Sequence, residues 1–467
     1  MKRIPGSIAA LALGFAVALS GAQGPAAPAY AIRGAKIVPV SGAEIASGNI
    51  VLRGGLIDAV GANAAIPADA IVIDGTGLTV YPGLIDMGNA TVIDAPADAA
   101  APAGDGRGGA PAAAAAPGQT REAVERAKRD SILRPGYQAA EHLRIEGAEL
   151  VRLASAGITS VLATPGGNIF RGQSALVNVV APPDDPQIGS VADIRKTMTV
   201  VQAPVALHIN FNPGGGPYPA SLMGAIAFVR QAFMDAAWQR QALASYEKNP
   251  SMPRPAWDPA LNGLLPAIDR KIRVAFDANQ TREIARVLRL AKELHVNAIV
   301  TGARQADEMA AELKAADTPV IYSLNYPARP RTLPPDADES LDTLRGRVNA
   351  PKAPGVLAKA GVRFAFESGG LRQPADFVKN AAKAVRDGLP ADAALRALTL
   401  DAATIAGADR RLGSLDRGKI ANVIITQGGL FDDKMQIRHV FIDGHKVTLD
   451  TAPAPEGRGG RGGIQSW

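Results

Sequence analysis

Short apolar segments alternate with helical segments through the middle of this 467-residue chain. The segments KIRVAFDAN, NAIVTG, TPVIYSLN and VRFAFES have the length and apolar content of buried strands. Between the first two, TREIARVLRLAKELHV places Ile284, Val287, Leu288 and Ala291 on one helical face. Strands that alternate with helices of this length indicate βαβ units and a parallel sheet. So many units in succession favour a (β/α) barrel, with its functional site at the C-terminal ends of the strands.

Both ends of the chain have a β-rich pattern instead. Residues 30–80 contain short apolar runs separated by Gly, Ser and Asn, which predict a small antiparallel β unit. Beyond the helical segment ADAALRALTLDAATIAG, the chain returns to strands in KIANVIITQGG and IRHVFIDGHKV. The segment VQAPVALHINFN, residues 201–212, is interpreted as one strand that runs into a loop, and AAEHLRIEGAELVRLASAG as helix.

The first 22 residues have the pattern of a signal peptide. A positively charged start precedes an apolar run from Ile8 to Leu19, and small residues lead to a cleavage site after Ala22. We therefore expect an exported protein, periplasmic or secreted, without a membrane span after cleavage. An uncleaved anchor and a cleavage site at Ala31 are the alternatives. The chain has no cysteine, which excludes disulfides, thiolate metal sites and a cysteine nucleophile.

Low-complexity segments and the charge balance exclude other function classes. Residues 94–118 predict a flexible Ala/Pro/Gly insertion, and residues 451–467 a disordered tail rich in Gly and Arg. The formal net charge of +6 is mild for this length, and the basic residues are not interleaved with aromatic ones, so no nucleic-acid partner is predicted. The Gly-rich loop at 212–219 lacks the Lys-Ser/Thr of a P-loop and predicts a lid, and no G-x-S-x-G elbow is present.

Three stretches of the sequence match the motifs of a known family. They are VYPGLID at 80–86, GITSVLATPGGNIFRGQSALV at 157–177, and LPADAALRALTLDAATIAGADRRLGSLDRGKIANVIIT at 389–426, the last followed by VFIDGHKV. In this order, and over most of the chain, they resemble the amidohydrolase superfamily, nearest its secreted imidazolonepropionase-like and dihydroorotase-like branches.

The resemblance implies an α/β fold: a TIM-like (β/α) barrel with a small β-sandwich built from both chain ends. It places the N-terminal part of the sandwich at residues 23–82, the barrel at 83–405 and the C-terminal part of the sandwich at 406–450. This order agrees with the strand-rich ends and the alternating middle of the sequence.

The resemblance also implies a divalent metal that activates water for the hydrolysis of C–N bonds. Members of the family hold it with a His-x-His pair after the first barrel strand, often a carboxylated lysine, single histidines on the fifth and sixth strands, and an aspartate on the eighth. Here the His-x-His positions fall on Gly88 and Ala90. The other positions fall on Ala275 or Asp277 on the fifth strand, Thr301 or Gly302 on the sixth, and Glu367 on the eighth, and Asn422 replaces a late acidic residue.

Three residues remain candidates for catalysis: Glu367, His208 and Asp277. Glu367 could be a remnant general base or ligand, although its additional methylene shifts the carboxylate by about 1.5 Å. Among the five histidines, only His208 lies on a segment that could deliver it to the active face of a barrel. Asp277 could equally form a buried ion pair or lie on a solvated rim, and Asp86 is expected to make a structural turn contact.

Two classes of function follow. By descent the protein would be a hydrolase acting on carbon–nitrogen bonds other than peptide bonds, and the lost ligand positions predict a missing metal site, no cofactor and impaired catalysis. The alternative is a non-catalytic binding protein or a partner subunit of an intact amidohydrolase in the periplasm. A small-molecule ligand at the barrel mouth and a homo-oligomer or hetero-oligomer with an intact paralogue are the expected partners.

Overall fold

The computed structural model describes residues 28–94, 120–144, 147–179, 198–330, 332–334 and 336–449. The predicted signal peptide, the predicted tail and nearly all of the Ala/Pro/Gly insertion lie outside these residues. Within the described ranges, no helix is both long enough and apolar enough to cross a membrane.

The described strands are numbered in chain order. They are β1 (Tyr30–Ile37), β2 (Ile45–Arg53), β3 (Leu56–Gly61), β4 (Ile71–Asp74), β5 (Leu78–Pro82), β6 (Leu84–Asn89), β7 (Ile158–Ala163), β8 (Phe170–Gln173), β9 (Ala175–Asn178), β10 (Thr199–Gln202), β11 (Ala206–Ile209), β12 (Arg273–Ala278), β13 (Ala298–Gly302), β14 (Val320–Ser323), β15 (Phe364–Glu367), β16 (Val423–Gln427), β17 (Gln436–Ile442) and β18 (His445–Val447).

The described α-helices are numbered in the same way. They are α1 (Arg121–Ile132), α2 (Gly147–Ser155), α3 (Leu222–Lys248), α4 (Pro259–Asn262), α5 (Leu265–Ile268), α6 (Thr281–Leu294), α7 (Ala310–Ala315), α8 (Leu341–Asn349), α9 (Ala353–Lys359), α10 (Asp376–Arg386), α11 (Ala391–Leu398) and α12 (Leu400–Ile405). Short 3-10 turns occur at Ala139–Glu141 and Ala306–Met309.

The described strands form three sheets, which confirms a mixed α/β fold. One eight-stranded sheet joins both chain ends, because β16 pairs with β5 while β17 and β18 extend the edge. A four-stranded sheet has the order β10-β9-β7-β6, and a six-stranded sheet the order β15-β14-β13-β12-β11-β8. Backbone pairing among these strands does not close into a barrel. Asp86 of β6 nevertheless accepts a hydrogen bond from the Ser368 backbone N–H beside β15, at 2.8 Å.

The six-stranded sheet positions the functional residues because β11 to β15 are parallel and in register. Asp277 of β12 is paired with Thr301 of β13, and Ser323 of β14 with Glu367 of β15. Helix α6 covers β12 and β13 with its buried residues Ile284, Val287, Leu290 and Ala291. Burying each larger aliphatic side chain stabilises the fold by about 1.5–3 kcal/mol. The carboxyl ends of these strands therefore meet at one edge.

Two predicted segments are interrupted in the structure. Residues 201–212 contain β10 and β11 rather than one strand, since Pro204 between them has no N–H to donate to a sheet. The predicted helix at ADAALRALTLDAATIAG is two helices, α11 and α12, separated at Thr399 with φ of −136°. The Thr399 hydroxyl donates to the Leu395 carbonyl at 2.6 Å, a local bond that competes with continued helix.

Two further predictions were wrong in part. The N-terminal unit is not wholly antiparallel, because β4 and β5 both run parallel to β1 while β2 is antiparallel to it. In the segment AAEHLRIEGAELVRLASAG, the described residues form a 3-10 turn and α2 rather than one continuous helix. His142, expected in a helix, follows that turn and stacks on Tyr137 with ring centroids 4.4 Å apart.

Candidate functional site

A cavity of about 280 Å³ opens at the carboxyl ends of the central strands. Its walls include the three candidate residues predicted from the sequence, Glu367, His208 and Asp277. Each comes from a different parallel strand of the six-stranded sheet, and the end of β6 supplies a further part of the wall, next to Glu367. The structure therefore brings the predicted residues together, although their catalytic role stays a prediction.

Gly88 and Glu367 fit against each other across this cavity. A β-carbon at Gly88 would lie 2.8 Å from the Glu367 Cβ, and closer still to the Glu367 Oε2 atom. Distances below 3.0 Å do not occur for real β-carbons without a shift of the neighbouring atoms. The Glu367 side chain thus fills the volume into which any side chain at position 88 would extend.

Asp86 ties the end of β6 to the end of β15. Its Oδ1 atom accepts hydrogen bonds from the backbone N–H of Gly88 at 3.1 Å and of Ser368 at 2.8 Å. Its Oδ2 atom accepts a third from the Asn89 side chain at 3.2 Å. Complete burial raises the pKa of the Asp86 carboxyl to about 6, and these hydrogen bonds oppose that rise. The expected turn contact at Gly88 is present, and a second contact joins two sheets.

Carboxyl groups crowd one another in the cavity. Burial raises the pKa of Glu367 well above its ordinary value, and the neighbouring Asp277 and Asp86 raise it further. The pKa of Asp277 is also raised by burial, although its side chain keeps 42% of its surface exposed. Interacting carboxyls in such a cluster favour retention of a proton.

Arg171 is the cation of the cluster, and the sequence reasoning missed it. Its Nε donates to the Pro165 carbonyl at 2.7 Å, and its Nη1 lies 4.0 Å from the Asp277 Oδ2. Burial lowers the pKa of Arg171, while Asp277 and Glu367 oppose that shift. The sequence did contain an indication of this role. Arg171 is the single arginine in the apolar β segment NIFRGQSALV, and a buried charge requires a partner.

His208 is held next to Arg171 by strand pairing. The antiparallel pairing of β11 with β8 places His208 opposite Gly172, the residue after Arg171. Burial, with a smaller contribution from the Arg171 charge, lowers the pKa of His208 to about 3, so the imidazole is neutral near pH 7. Its Nε2 atom is buried and has no hydrogen-bond partner in the described chain. Leaving a buried polar atom unpaired costs about 1–3 kcal/mol.

Part of the chain is similar in sequence to a known family, and its fold is similar to solved structures. A model of the amidohydrolase family matches residues 271–447, which carry β12 to β18. The solved structure of an amidohydrolase from Thermotoga maritima superposes with a TM-score of 0.68 and 21% identity, covering 90% of this chain and 100% of that one. These findings bear out the resemblance seen in the sequence motifs: residues 271–447 match the amidohydrolase family, and the fold is that of a solved amidohydrolase.

Other solved structures share the fold at lower similarity. A prolidase complexed with N-methylphosphonate-L-proline gives a TM-score of 0.53 at 15% identity, covering 90% of this chain and 100% of that one. A protein described as a putative prolidase from Bifidobacterium longum gives 0.51 at 16% identity, covering 91% and 95%. No match was found among curated proteins. Identities this low establish the fold and leave substrate and activity open.

The residues of this cavity do not fit the metal that the similarity to amidohydrolases implies. Glu367 occupies the space above Gly88, one of the two expected histidine positions. Within the described residues, no three His, Cys, Asp or Glu side chains are arranged to hold a metal ion. Arg171 adds a fixed cation to the same cavity, which opposes the binding of a dication.

Asn422 stands at the position of the family's late acidic residue, and its side-chain hydrogen bonds connect parts of the fold. It donates to the Ser160 hydroxyl at 3.1 Å and to the Asn178 side-chain oxygen at 2.9 Å, and it accepts from the Asp443 backbone N–H. These bonds join the four-stranded sheet to the eight-stranded sheet. The four remaining histidines, His142, His295, His439 and His445, do not line the cavity.

Proposed function

We propose that this amidohydrolase-superfamily protein has lost the metal site, and with it efficient hydrolysis. By descent it is a hydrolase of carbon–nitrogen bonds other than peptide bonds. The observation that carries this proposal is the Gly88–Glu367 contact, because a ligand-sized side chain at position 88 and the present Glu367 conformation exclude each other. If a histidine at position 88 had simply been lost, water could fill the space that it left. Here the Glu367 carboxylate is packed into that space, which changes the shape and the charge of the cavity.

The proposal includes the finer architecture expected from the family. The four-stranded and six-stranded sheets would together form one TIM-like barrel, with β6 adjacent to β15 through the Asp86–Ser368 hydrogen bond. The eight-stranded sheet would be the core of the composite β-sandwich domain. The similarity to the Thermotoga maritima amidohydrolase over 90% of the chain supports this arrangement.

What remains at the cavity favours binding a small polar molecule. Arg171 offers a charged donor, His208 a neutral imidazole with an unpaired buried nitrogen, and Thr301 a hydroxyl, all on the cavity wall. A cavity of about 280 Å³ lies just below the usual range for ligand sites, which runs from about 300 to 1,000 Å³. Such a site suits a compact metabolite with hydrogen-bonding groups.

Activity with and without metal tests the loss of hydrolysis. The full chain, prepared with chelator or with Zn, Mn or Co, is assayed on N-acyl amino acids, cyclic amides and dipeptides. We expect turnover within about twofold of the Glu367→Gln variant under every condition, since no metal-bound water is generated. Metal-dependent turnover that Glu367→Gln abolishes would refute the proposal.

Thermal stabilisation tests ligand binding at the same cavity. Small carboxylic acids and amino acids are screened in the presence of chelator, and a ligand at about 100 times its Kd should stabilise the fold by about 2.7 kcal/mol. Stabilisation should be lost in Arg171→Gln and kept in Arg152→Gln, which changes an exposed arginine of α2. Stabilisation that persists in Arg171→Gln would place the ligand elsewhere.

A specific surface favours the second candidate, a partner subunit. Helix α8 buries none of its residues, and its Leu341, Leu344 and Val348 are 59%, 42% and 58% exposed. Their spacing puts them on one face of the helix, which is typical of a helix that packs on another chain. We propose that this face contacts a second copy or an intact paralogue.

Size-exclusion chromatography with light scattering tests that interface, alone and after co-expression with an intact paralogue. The variant Leu344→Glu/Val348→Glu should dissociate the oligomer, while Thr343→Glu, an exposed position on the opposite face of the same helix, should not. A wild-type chain that stays a monomer in both preparations would contradict the subunit proposal. Export to the periplasm or medium is proposed on the N-terminal sequence pattern, and N-terminal sequencing of the fractionated protein checks it.

A further inference from the structure

The opposite end of the parallel sheet carries a second, basic cavity. A groove of about 1030 Å³ lies where β12, β13 and β14 begin, and a cavity of about 60 Å³ adjoins it beside Arg363, which precedes β15. We name the two together the basic groove. Its cationic residues are Arg270, Arg273, Arg289, Lys292, Lys314 and Arg363. Among the described residues, two carboxylates, Glu312 and Asp317, line it.

The groove cations are not neutralised by ion pairs. In the part of the chain that the structure describes, none of the six lies within 4.0 Å of a carboxylate oxygen. Arg270 instead donates to the Asn297 side-chain oxygen at 2.7 Å, a neutral partner. On the neighbouring surface Arg230 forms a two-point pair with Glu293, at 2.6 and 2.8 Å. The difference leaves a concentrated positive field at one place on the surface.

The charge of Arg273 is affected by burial and by its charged neighbours. Burial lowers the pKa of the Arg273 guanidinium, Asp317 opposes that shift, and Arg363 adds a smaller repulsion. A multivalent anion between Arg273 and Arg363 would relieve this repulsion. Four of the six cations are arginines, whose planar guanidinium matches phosphate oxygens in two-point hydrogen bonds.

At the amino ends of the strands, several helix-to-strand turns have a polar residue at a position with positive φ, where glycine is favoured. Arg270, His295 and Asp317 follow α5, α6 and α7 and have φ values of +58°, +55° and +46°. The fourth such turn, after α9, uses Gly361 with φ of +69°. Non-glycine residues adopt this conformation at a cost in stability. Three of the four turns therefore carry a non-glycine residue, and all three of these residues, including the acidic Asp317, line the groove.

We propose that the basic groove binds a phosphate-bearing anion whose charges contact several of its arginines at once. The site is separate from the cavity at the carboxyl ends of the strands and does not depend on the proposed loss of metal. The groove is open along one side, which admits either a free polyphosphate-type anion or a phosphate headgroup at a lipid surface.

Calorimetric titration of the full chain with inorganic tripolyphosphate tests the free-anion source. We expect saturable binding that weakens by about tenfold or more in Arg273→Gln/Arg363→Gln. Arg289→Gln, an exposed change on α6, should weaken it severalfold and guards against misfolding of the double variant. The control Arg254→Gln/Arg282→Gln removes two exposed arginines outside the groove, and its affinity should stay within about twofold of wild type.

Co-sedimentation with vesicles tests the headgroup source. Phosphatidylcholine vesicles containing about 30% phosphatidylglycerol are compared with vesicles lacking it, at low and moderate salt. Vesicle binding that the groove variants abolish, without tripolyphosphate binding, assigns the site to a headgroup and still supports the phosphate chemistry. Absence of binding to both probes, or binding that the groove variants leave unchanged, would overturn the proposal.

Discussion

The two ends of the same parallel sheet carry opposite chemistry. At the carboxyl ends of the strands, Asp86, Asp277 and Glu367 share an enclosed cavity with one cation, Arg171. At the amino ends, the six cations of the basic groove face two carboxylates on an open surface. The difference lies in solvent access as much as in sign, because burial shifts the titration of the first group while water and salt screen the second. The enclosed end should therefore respond to pH, and the open end to ionic strength and anions.

Replacing His208 should give the largest change at the enclosed end. The unfolded imidazole takes up a proton below about pH 6.5, whereas the folded one stays neutral until about pH 3. Its contribution to stability is thus present above pH 6.5 and is lost as pH falls toward 3, by up to about 5 kcal/mol. Urea unfolding from pH 7 to 4 should show a smaller loss of stability in His208→Gln than in wild type. Parallel pH profiles for the two proteins would show that His208 is not a buried neutral base.

Asp86 should act in the opposite direction with a smaller effect. Its folded pKa of about 6 lies above the ordinary 3.8, so its contribution is fully present below pH 3.8 and is lost as pH rises through 6. The shift corresponds to about 3 kcal/mol. Asp86→Asn keeps the side chain neutral, and its unfolding free energy relative to wild type should increase by about 2–2.5 kcal/mol between pH 4 and 7, because part of the shift is already expressed at pH 4. A constant difference across this range would mean that Asp86 titrates normally.

A histidine introduced at position 88 should clash with Glu367. We expect Gly88→His to reduce the unfolding free energy by about 2 kcal/mol through overpacking, and Glu367→Gly, which also removes the clashing Glu367 Cβ, to recover most of that loss in the double variant. The matched control is Ala90→His, which introduces the same side chain at an exposed position two residues further along. Equal costs at 88 and 90, or additive effects of the Gly88 and Glu367 changes, would contradict the contact.

Neutralising a groove cation should have the smallest effect on the unfolding free energy, and it should stabilise the fold rather than destabilise it. Arg363→Gln removes a repulsion on Arg273 and should raise the unfolding free energy by no more than about 0.5 kcal/mol at low salt. The gain should disappear as added salt screens the charges. Destabilisation of more than that would indicate that Arg363 supports the fold directly.

Much of the cavity at the carboxyl ends of the strands could be predicted from the sequence, because strand ends can be located from local patterns. Strands in KIRVAFDAN and VRFAFES were evident, and in a parallel sheet their carboxyl ends must converge, so Asp277 and Glu367 were expected at one cavity. The order of the end motifs pointed to the amidohydrolase family that residues 271–447 match. His208 was placed correctly because it was the one histidine on a strand pointing to that end.

Contacts between distant segments could not be predicted. The fit of Glu367 against Gly88, and the Asp86 bond to Ser368, depend on how two sheets meet, which no local pattern encodes. Arg171 was overlooked because its role depends on antiparallel pairing of β8 with β11. The breaks at Pro204 and Thr399 were missed because apolar periodicity continues across them. The groove cations are scattered along the sequence, and only the alignment of the strand beginnings gathers them.

Metal content tests the central claim about the enclosed end most directly. The chain is produced with Zn, Mn and Co supplied, dialysed without chelator, and measured by plasma mass spectrometry alongside its His208→Gln and Glu367→Gln variants. We predict less than about 0.1 metal ion per chain in all three, since a structural or catalytic zinc site takes three or four protein ligands. About one ion per chain in wild type, lost in either variant, would contradict the account and restore the protein to the metal-dependent hydrolases.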